Sequence, residues 1–321
     1  MSENLLEIQD LEVDFHTDAG TLKAVRRIGF AMQRGDVFGI VGESGCGKSV
    51  TARSILRLIR PPGQIRAGKI IFDRRDLLCL NAAEMRKVRG SRISMIFQEP
   101  MTSLDPLFPI GDQIMEAIRL HQGIDRKAAR ENAVSMLDKV GIPDAKSRMK
   151  YYPFQLSGGM RQRVMIATAL SCKPEILIAD EPTTALDVTI QAQILDLLEK
   201  LQQDIQMSMI LITHDLSLVK NITRKLQIMY AGKIVESAPT AELFRHPLHP
   251  YTKGLFDCIP KLKGKRDLLE TIPGTLPNLH NSLVGCAFSP RCRYKLEICN
   301  QITPSLSEVA SGHLVSCHLQ E

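Results

Sequence analysis

Apolar positions in this chain fall into short runs separated by longer polar stretches with helical spacing. Val37-Phe38-Gly39-Ile40-Val41 is continuous and apolar, as a strand buried on both faces should be. Ile93 to Phe97, Ile176 to Asp180 and Met209 to Thr213 repeat that pattern. From Leu5 to Phe15 apolar residues nearly alternate, with a phase slip at Gln9-Asp10. This predicts strands with one solvated face, broken by a turn or bulge. Turn chemistry between His16 and Leu22 leads into a further strand over Ala24 to Met32, and Lys69 to Phe72 reads as another.

Helices are expected between the runs. One should follow Val41 and stop near Ile59, before Pro61-Pro62; another covers Ala82 to Val88. Ile110, Ile114 and Ile118 share one helical face, and Val134, Leu137 and Val140 mark a second helix that ends at Gly141-Ile142-Pro143. Met160 to Leu170 is helical behind Ser157, a good cap. A helix to about Gln203, one near Leu216 to Asn221, and a hairpin over Leu226 to Val235 turning at Ala231-Gly232 complete the pattern. The expected fold is α/β: a parallel core, an N-terminal antiparallel β subdomain, and a helical insertion.

The 321 residues suffice for one large domain with an appendage, or for two domains. Hydrophobic (44%) and charged (24%) fractions are those of an ordinary globular protein. The formal charge of +6 is spread along the chain and does not argue for nucleic acid. Met1-Ser2-Glu3-Asn4 has no basic region followed by an apolar core, and no run is long enough to span a bilayer. The expectation is a cytosolic protein whose eight cysteines are reduced or hold metal.

Chemistry concentrates at strand ends. Gly42-Glu43-Ser44-Gly45-Cys46-Gly47-Lys48-Ser49 reads G-x-x-x-x-G-K-S between a strand and a helix, the context a phosphate-binding loop requires. Its backbone N–H groups and the following helix N-terminus favour phosphate oxygens. Lys48 should reach the β- and γ-phosphates and Ser49 should bind Mg²⁺. Asp180 and Glu181 end an apolar strand, where an Asp can hold Mg²⁺ and a Glu can orient and deprotonate water. His214 follows another strand at its carboxyl end, where open α/β sheets bind ligands. Leu156-Ser157-Gly158-Gly159-Met160 is a second possible phosphate cradle, weak by itself. Phe15 is the nearest aromatic that could stack on a base, although an aromatic in a strand is more often core.

Together these residues resemble the ATP-binding subunits of ABC transporters, from Leu5 to about Tyr251. The Walker A loop is Gly42 to Ser49, with Val50 behind it, and the Q-loop glutamine is Gln98. The signature is Leu156 to Met160, Walker B runs from Ile176 to Asp180 followed by Glu181, the D-loop is Thr184 to Asp187, and the H-loop is His214. Phe97 to Pro106 and His249-Pro250-Tyr251-Thr252-Lys253 are similar to the oligopeptide/dipeptide importer group, its dipeptide branch above all. The resemblance implies an ATPase over residues 1–250, with a helical subdomain at about 100–157, and an extension over 251–321. It implies ATP and Mg²⁺ as cofactors. A second, non-identical ATPase subunit, two membrane permeases and, indirectly, an extracytoplasmic binding protein are the implied partners, at the cytoplasmic face of the membrane. Ser49, Gln98 and Asp180 would serve Mg²⁺; Glu181, His214 and Gln98 would serve hydrolysis; Ser157, Gly158 and Gly159 would serve the ATP held by the partner subunit.

Two departures stand out. Cys46 replaces a commoner Ser and would place a thiol beside the phosphates, and Thr184 replaces a commoner Ser in the D-loop. A single cassette with no coiled coil argues against a soluble ABC protein of translation or repair, and intact Lys48, Asp180, Glu181 and His214 argue against a dead regulatory site. The resemblance implies import of di- or oligopeptides, with an antimicrobial peptide, nickel or a sugar-like solute as the alternative cargo.

Past Tyr251, Cys286, Cys292, Cys299 and Cys317 are spaced C-x5-C-x6-C-x17-C. This is not the paired pattern of a zinc ribbon. Four thiolates can hold a [4Fe–4S] cluster at irregular spacing. The extension of the resembled group makes such a cluster plausible, with Zn²⁺ or no metal as alternatives. Cys79, Cys172 and Cys258 read as packing residues.

Overall fold

The computed structural model describes residues 4–98, 103–184, 186–259, 271–280 and 283–320. Glu99 to Thr102 of the Q-loop and Ala185 of the D-loop lie outside them. The chain forms two compact units, Met1–Leu78 with Leu211–Glu321, and Cys79–Ile210.

The first unit opens with the hairpin β1 (Asn4–Thr17) and β2 (Gly20–Gln33). The phase slip at Gln9-Asp10 is a bulge within one strand: pairing with β2 shifts between Ile8 and Leu11, and Asp10 has φ 45°. The extra residue lets Leu6, Ile8, Leu11 and Val13 all reach the core. After β3 (Val37–Val41), buried throughout, comes α1 (Lys48–Ile55). This helix stops short of the expected end near Ile59, because Arg57 turns left-handed at φ 51° and donates to the Leu77 carbonyl at 3.2 Å. Next, β4 (Gly63–Phe72) and β5 (Arg75–Asp76) complete an antiparallel sheet of order β2-β1-β4-β5.

In the second unit, α2 (Ala82–Val88) starts at an Asn81–Glu84 capping box and leads to β6 (Ile93–Ile96). Ile110, Ile114 and Ile118 lie fully buried along α3 (Ile110–Gln122). Its neighbour α4 (Arg126–Lys139) buries Ala129, Ala133, Met136 and Leu137, leaving Val134 half-buried. Leu137 and Val140, two of the three apolar residues that mark this helix, are fully buried beside Ala129 and Ala133. Next come α5 (Ala145–Arg148), α6 (Gly158–Leu170) and β7 (Ile176–Asp180), the last parallel to β6. Then α7 (Val188–Ile205) precedes β8 (Ser208–Thr213), which returns the chain to the first unit.

There, α8 (Leu216–Val219) leads to the hairpin β9 (Lys225–Tyr230) and β10 (Lys233–Pro239), turning at Ala231-Gly232 as expected. Parallel pairing of β3 with β9 gives the core its α/β character. Two helices follow, α9 (Thr240–Arg245) and α10 (Pro250–Asp257). The cysteine-bearing tail then adds strands β11 (Ser307–Ala310) and β12 (His313–Val315), so the sheet of this unit runs β11-β12-β10-β9-β3. Fully buried Glu236 on β10 fixes this arrangement. Its carboxylate accepts from the Leu248 and His249 N–H groups at 2.7 and 3.0 Å and lies 2.8 Å from His313 Nε2. A buried carboxylate demands such partners. Among the described residues, no helix is long and apolar enough to cross a membrane.

Candidate functional site

In the first unit the phosphate loop bridges β3 and α1. Two of its glycines are required by close approach. A Cβ on Gly42 would sit 2.2 Å from the Met229 carbonyl oxygen; one on Gly47, where φ is 107°, would sit 2.5 Å from that of Ala24. Lys48 is only 4% exposed, and its Nζ donates to the Gly42 and Glu43 carbonyls at 2.7 and 3.0 Å. Those bonds curl the loop around its own lysine and hold the ammonium at the cradle. Ser44 and Gly45 are exposed, while Ser49 and Val50 are half-buried at the start of α1.

Cys46 lies beside the phosphate-loop lysine, its Sγ 3.9 Å from Lys48 Nζ. It is fully buried, and its Sγ packs under the loop, 2.8 Å from where a Gly42 Cβ would lie. Burial pushes the thiol up, so the reactive thiolate is suppressed. Phe15, half-buried on β1, lies over the backbone of Gly63. His214 is exposed just past β8, and Asp215 caps α8 by accepting from Ser217 N–H.

The second unit brings Gln98, Glu181 and Thr184 together, next to Asp180. Asp180 ends β7 fully buried, and Glu181 follows it with φ 48°, a conformation that costs a non-glycine residue on the order of 1 kcal/mol or more. Its Oε2 accepts from Gln98 Nε2 at 3.1 Å and from Thr184 Oγ1 at 2.8 Å. The carboxylate is thus held in one orientation by the Q-loop glutamine and the first D-loop residue. Positive φ at a buried acid is the kind of strain that marks functional sites. Asp187 caps α7 through Ile190 N–H, a structural role for the D-loop aspartate.

Ser157 caps α6 as expected, its Oγ accepting from Met160 N–H at 3.3 Å. Both Ser157 and Gly158 are exposed, so the N-terminal N–H groups of α6 are accessible to an anion from outside. Leu186 and Ile190 lie against Gly158 and Gly159.

All eight cysteines are free thiols. Cys286, Cys292, Cys299 and Cys317 share one locality: the Cys286 N–H donates to the Cys299 carbonyl at 2.8 Å, and Cys317 feels the charges of the other three. Burial raises the Cys286, Cys292 and Cys317 thiols. Among the described residues, no three His, Cys, Asp or Glu side chains converge on a single ion. Of the cysteines read as packing residues, Cys79 is exposed instead, and Cys172 and Cys258 are half-buried.

Sequence reading missed one group altogether. Arg291, in the short turn Ser289–Arg291 just before Cys292, makes a two-pronged ion pair with Glu43 of the phosphate loop at 2.9 and 3.0 Å. Tyr251 accepts from the Glu43 N–H at 2.9 Å. The only sequence signal was an arginine lodged between two of the clustered cysteines.

Comparison with known proteins accords with this geometry. Residues 25–184 match the ABC transporter family model, and residues 235–299 match that of the oligopeptide/dipeptide transporter C-terminal region. The chain is 48% identical over 320 residues to the dipeptide transport ATP-binding protein DppD of Bacillus subtilis, covering 99% of this chain and 96% of that one. It is 49% identical over 315 residues to the oligopeptide transport ATP-binding protein OppD of Haemophilus influenzae, covering 98% and 97%. The fold resembles cbiO1 from Clostridium perfringens, part of the ABC transporter complex cbiONQ, with TM-score 0.65, 26% identity, and coverage of 76% and 92%. The ATP-binding cassette MJ0796, solved as a dimer bound to ADP and Pi, gives TM-score 0.66 at 24% identity, with coverage of 73% and 98%. A strand-loop-helix phosphate cradle, a strained and buried acid after β7 and a near full-length match, at 48% identity, to a transport ATP-binding protein lead to one conclusion: this chain belongs to the ATP-hydrolysing, ATP-binding subunits of ABC transporters, in the group that carries the oligopeptide/dipeptide C-terminal region.

Proposed function

We propose that this chain hydrolyses ATP to power import of di- or oligopeptides. The observation that carries this reading is the pairing of an ABC cassette with the oligopeptide/dipeptide C-terminal region in one chain. Residues 1–250 form the ATPase domain, with a helical subdomain at about 100–157, and residues 251–321 form the extension. Lys48 and the N–H groups from Gly42 to Val50 bind the phosphates, Ser49 binds Mg²⁺, and Phe15 is the aromatic available to the base. With ATP and Mg²⁺ bound, Asp180 and Gln98 would serve the metal, which would neutralise phosphate charge; Glu181 would position and deprotonate the attacking water, and His214 would serve the γ-phosphate. Ser157, Gly158 and Gly159, at the start of α6 with the first two exposed, complete the site of a second, non-identical ATPase subunit. Exposed Leu107 and Phe108, leading into α3, offer an apolar face to two permease subunits fed by an extracytoplasmic binding protein. The chain works at the cytoplasmic face of the membrane as a peripheral subunit.

Deleting the chain from its host should abolish uptake of a labelled dipeptide. The wild-type chain should restore uptake and Glu181→Gln should not. Intact peptide uptake alongside lost nickel uptake would overturn the peptide assignment. Thr184→Val should lower the ATPase kcat about fivefold to tenfold with little change in KM, because it removes one hydrogen bond that orients Glu181. An unchanged kcat in steady-state assays would refute that role.

The extension holds a [4Fe–4S] cluster through Cys286, Cys292, Cys299 and Cys317. This reading rests on four free thiols that share one locality, at a spacing that is not the paired pattern of a zinc ribbon. When bound, the cluster staples a segment with little core of its own. Anaerobic purification should give iron and sulfide in equal amounts with visible absorption. Zinc alone, or no metal, would reject the cluster.

A further inference from the structure

The phosphate loop carries one acidic side chain, Glu43, in a cradle built for a polyphosphate. A free carboxylate there would repel the anion the loop must accept. The structure answers that charge from far along the chain. Arg291, whose side chain is 6% exposed, grips Glu43 with both Nη atoms, Nη1 to Oε2 at 2.9 Å and Nη2 to Oε1 at 3.0 Å. Such two-pronged pairs fix geometry as well as charge.

Arg291 is itself over-determined. Its Nε donates to the Pro273 carbonyl at 2.8 Å, Nη2 to the Ile272 carbonyl at 3.3 Å, and Nη1 to the Tyr230 hydroxyl at 3.4 Å. The guanidinium lies over the Tyr230 and Phe288 rings, with centroids at 5.8 and 6.0 Å. Those rings pack with Tyr251, whose hydroxyl takes the Glu43 N–H. Leu276 of the same extension is the nearest side chain to the open position over Gly45, and the Leu279 carbonyl accepts from the Lys23 N–H at 3.2 Å. Burial by itself would lower the Arg291 guanidinium, but its hydrogen bonds to Glu43 and Tyr230 outweigh that and hold it above its ordinary value.

We propose that Arg291 is a positioning residue of the phosphate loop: it neutralises and fixes Glu43, so that the C-terminal extension sets the affinity of the cassette for ATP. Because Arg291 stands between Cys286 and Cys292, whatever orders those cysteines also orders this contact. The proposal rests on the ATPase assignment alone and stands whichever solute is transported.

The test is equilibrium binding of a fluorescent ATP analogue with Mg²⁺ to the purified full-length chain. Arg291→Gln should weaken binding about tenfold, and the deficit should shrink as salt is raised, because it arises from an unscreened like charge. Adding Glu43→Gln to Arg291→Gln should bring affinity back to within about threefold of wild type, a rescue that a purely structural arginine would not give. Arg291→Lys, which keeps the charge and loses the fork, should weaken binding about threefold, and it carries the test if Arg291→Gln fails to fold. Wild-type affinity in Arg291→Gln, or in Arg291→Lys at low salt, would overturn the proposal. So would a double variant as weak as Arg291→Gln alone.

Discussion

Glu181→Gln should leave ATP binding intact and lower the rate of hydrolysis by about 10²- to 10⁴-fold, the range typical of a lost general base. The substitution keeps the size and shape of the side chain. Its amide oxygen can still accept from Thr184 Oγ1 and Gln98 Nε2, which now lie 2.8 and 3.1 Å from the carboxylate. What disappears is the negative charge that takes a proton from water. The strained backbone at φ 48° is unchanged, so the loss reads out chemistry and not folding. Single-turnover hydrolysis beside equilibrium binding separates the two. Turnover near the wild-type rate would remove Glu181 from the role of base and leave it as an anchor for Gln98.

The second large effect falls on binding. Lys48→Ala should reduce kcat/KM for ATP by about 10²-fold or more and abolish the thermal stabilisation that ATP gives the wild-type chain. The Lys48 ammonium is nearly buried and already bonded to the Gly42 and Glu43 carbonyls. Its loss removes the one lysine charge of the cradle and leaves those carbonyls without their donor. The two substitutions have opposite signatures. Glu181→Gln binds and does not turn over, whereas Lys48→Ala does not bind. A thermal shift with ATP equal to that of wild type in Lys48→Ala would contradict this division.

The sequence by itself determined the order of elements, the α/β class and the chemistry. Period-two and period-3.6 patterns act over a few residues, and so do the glycine, lysine and carboxylate spacings of the motifs. Hence Ala82 to Val88 and Ile176 to Asp180 stand where the pattern puts them, and Ser157 caps its helix. Local rules reached less far where neighbours in space decide. The helix after the phosphate loop ends early because Arg57 finds a partner at Leu77, and the buried face of Arg126–Lys139 takes in Ala129 and Ala133 beside Leu137 while Val134 is only half-buried. Cys46 turns inward and is fully buried, with its Sγ beside Lys48 Nζ and close against Gly42.

Only the tertiary structure decided what the tail does. Its strand His313–Val315 joins the sheet through Glu236 and Val315, and its Arg291 reaches Glu43 across 248 positions of sequence. No periodicity spans such a distance. Pairings of this kind exist because a buried carboxylate or guanidinium must find a partner wherever the fold supplies one. The sequence names both charges; the folded chain brings them together.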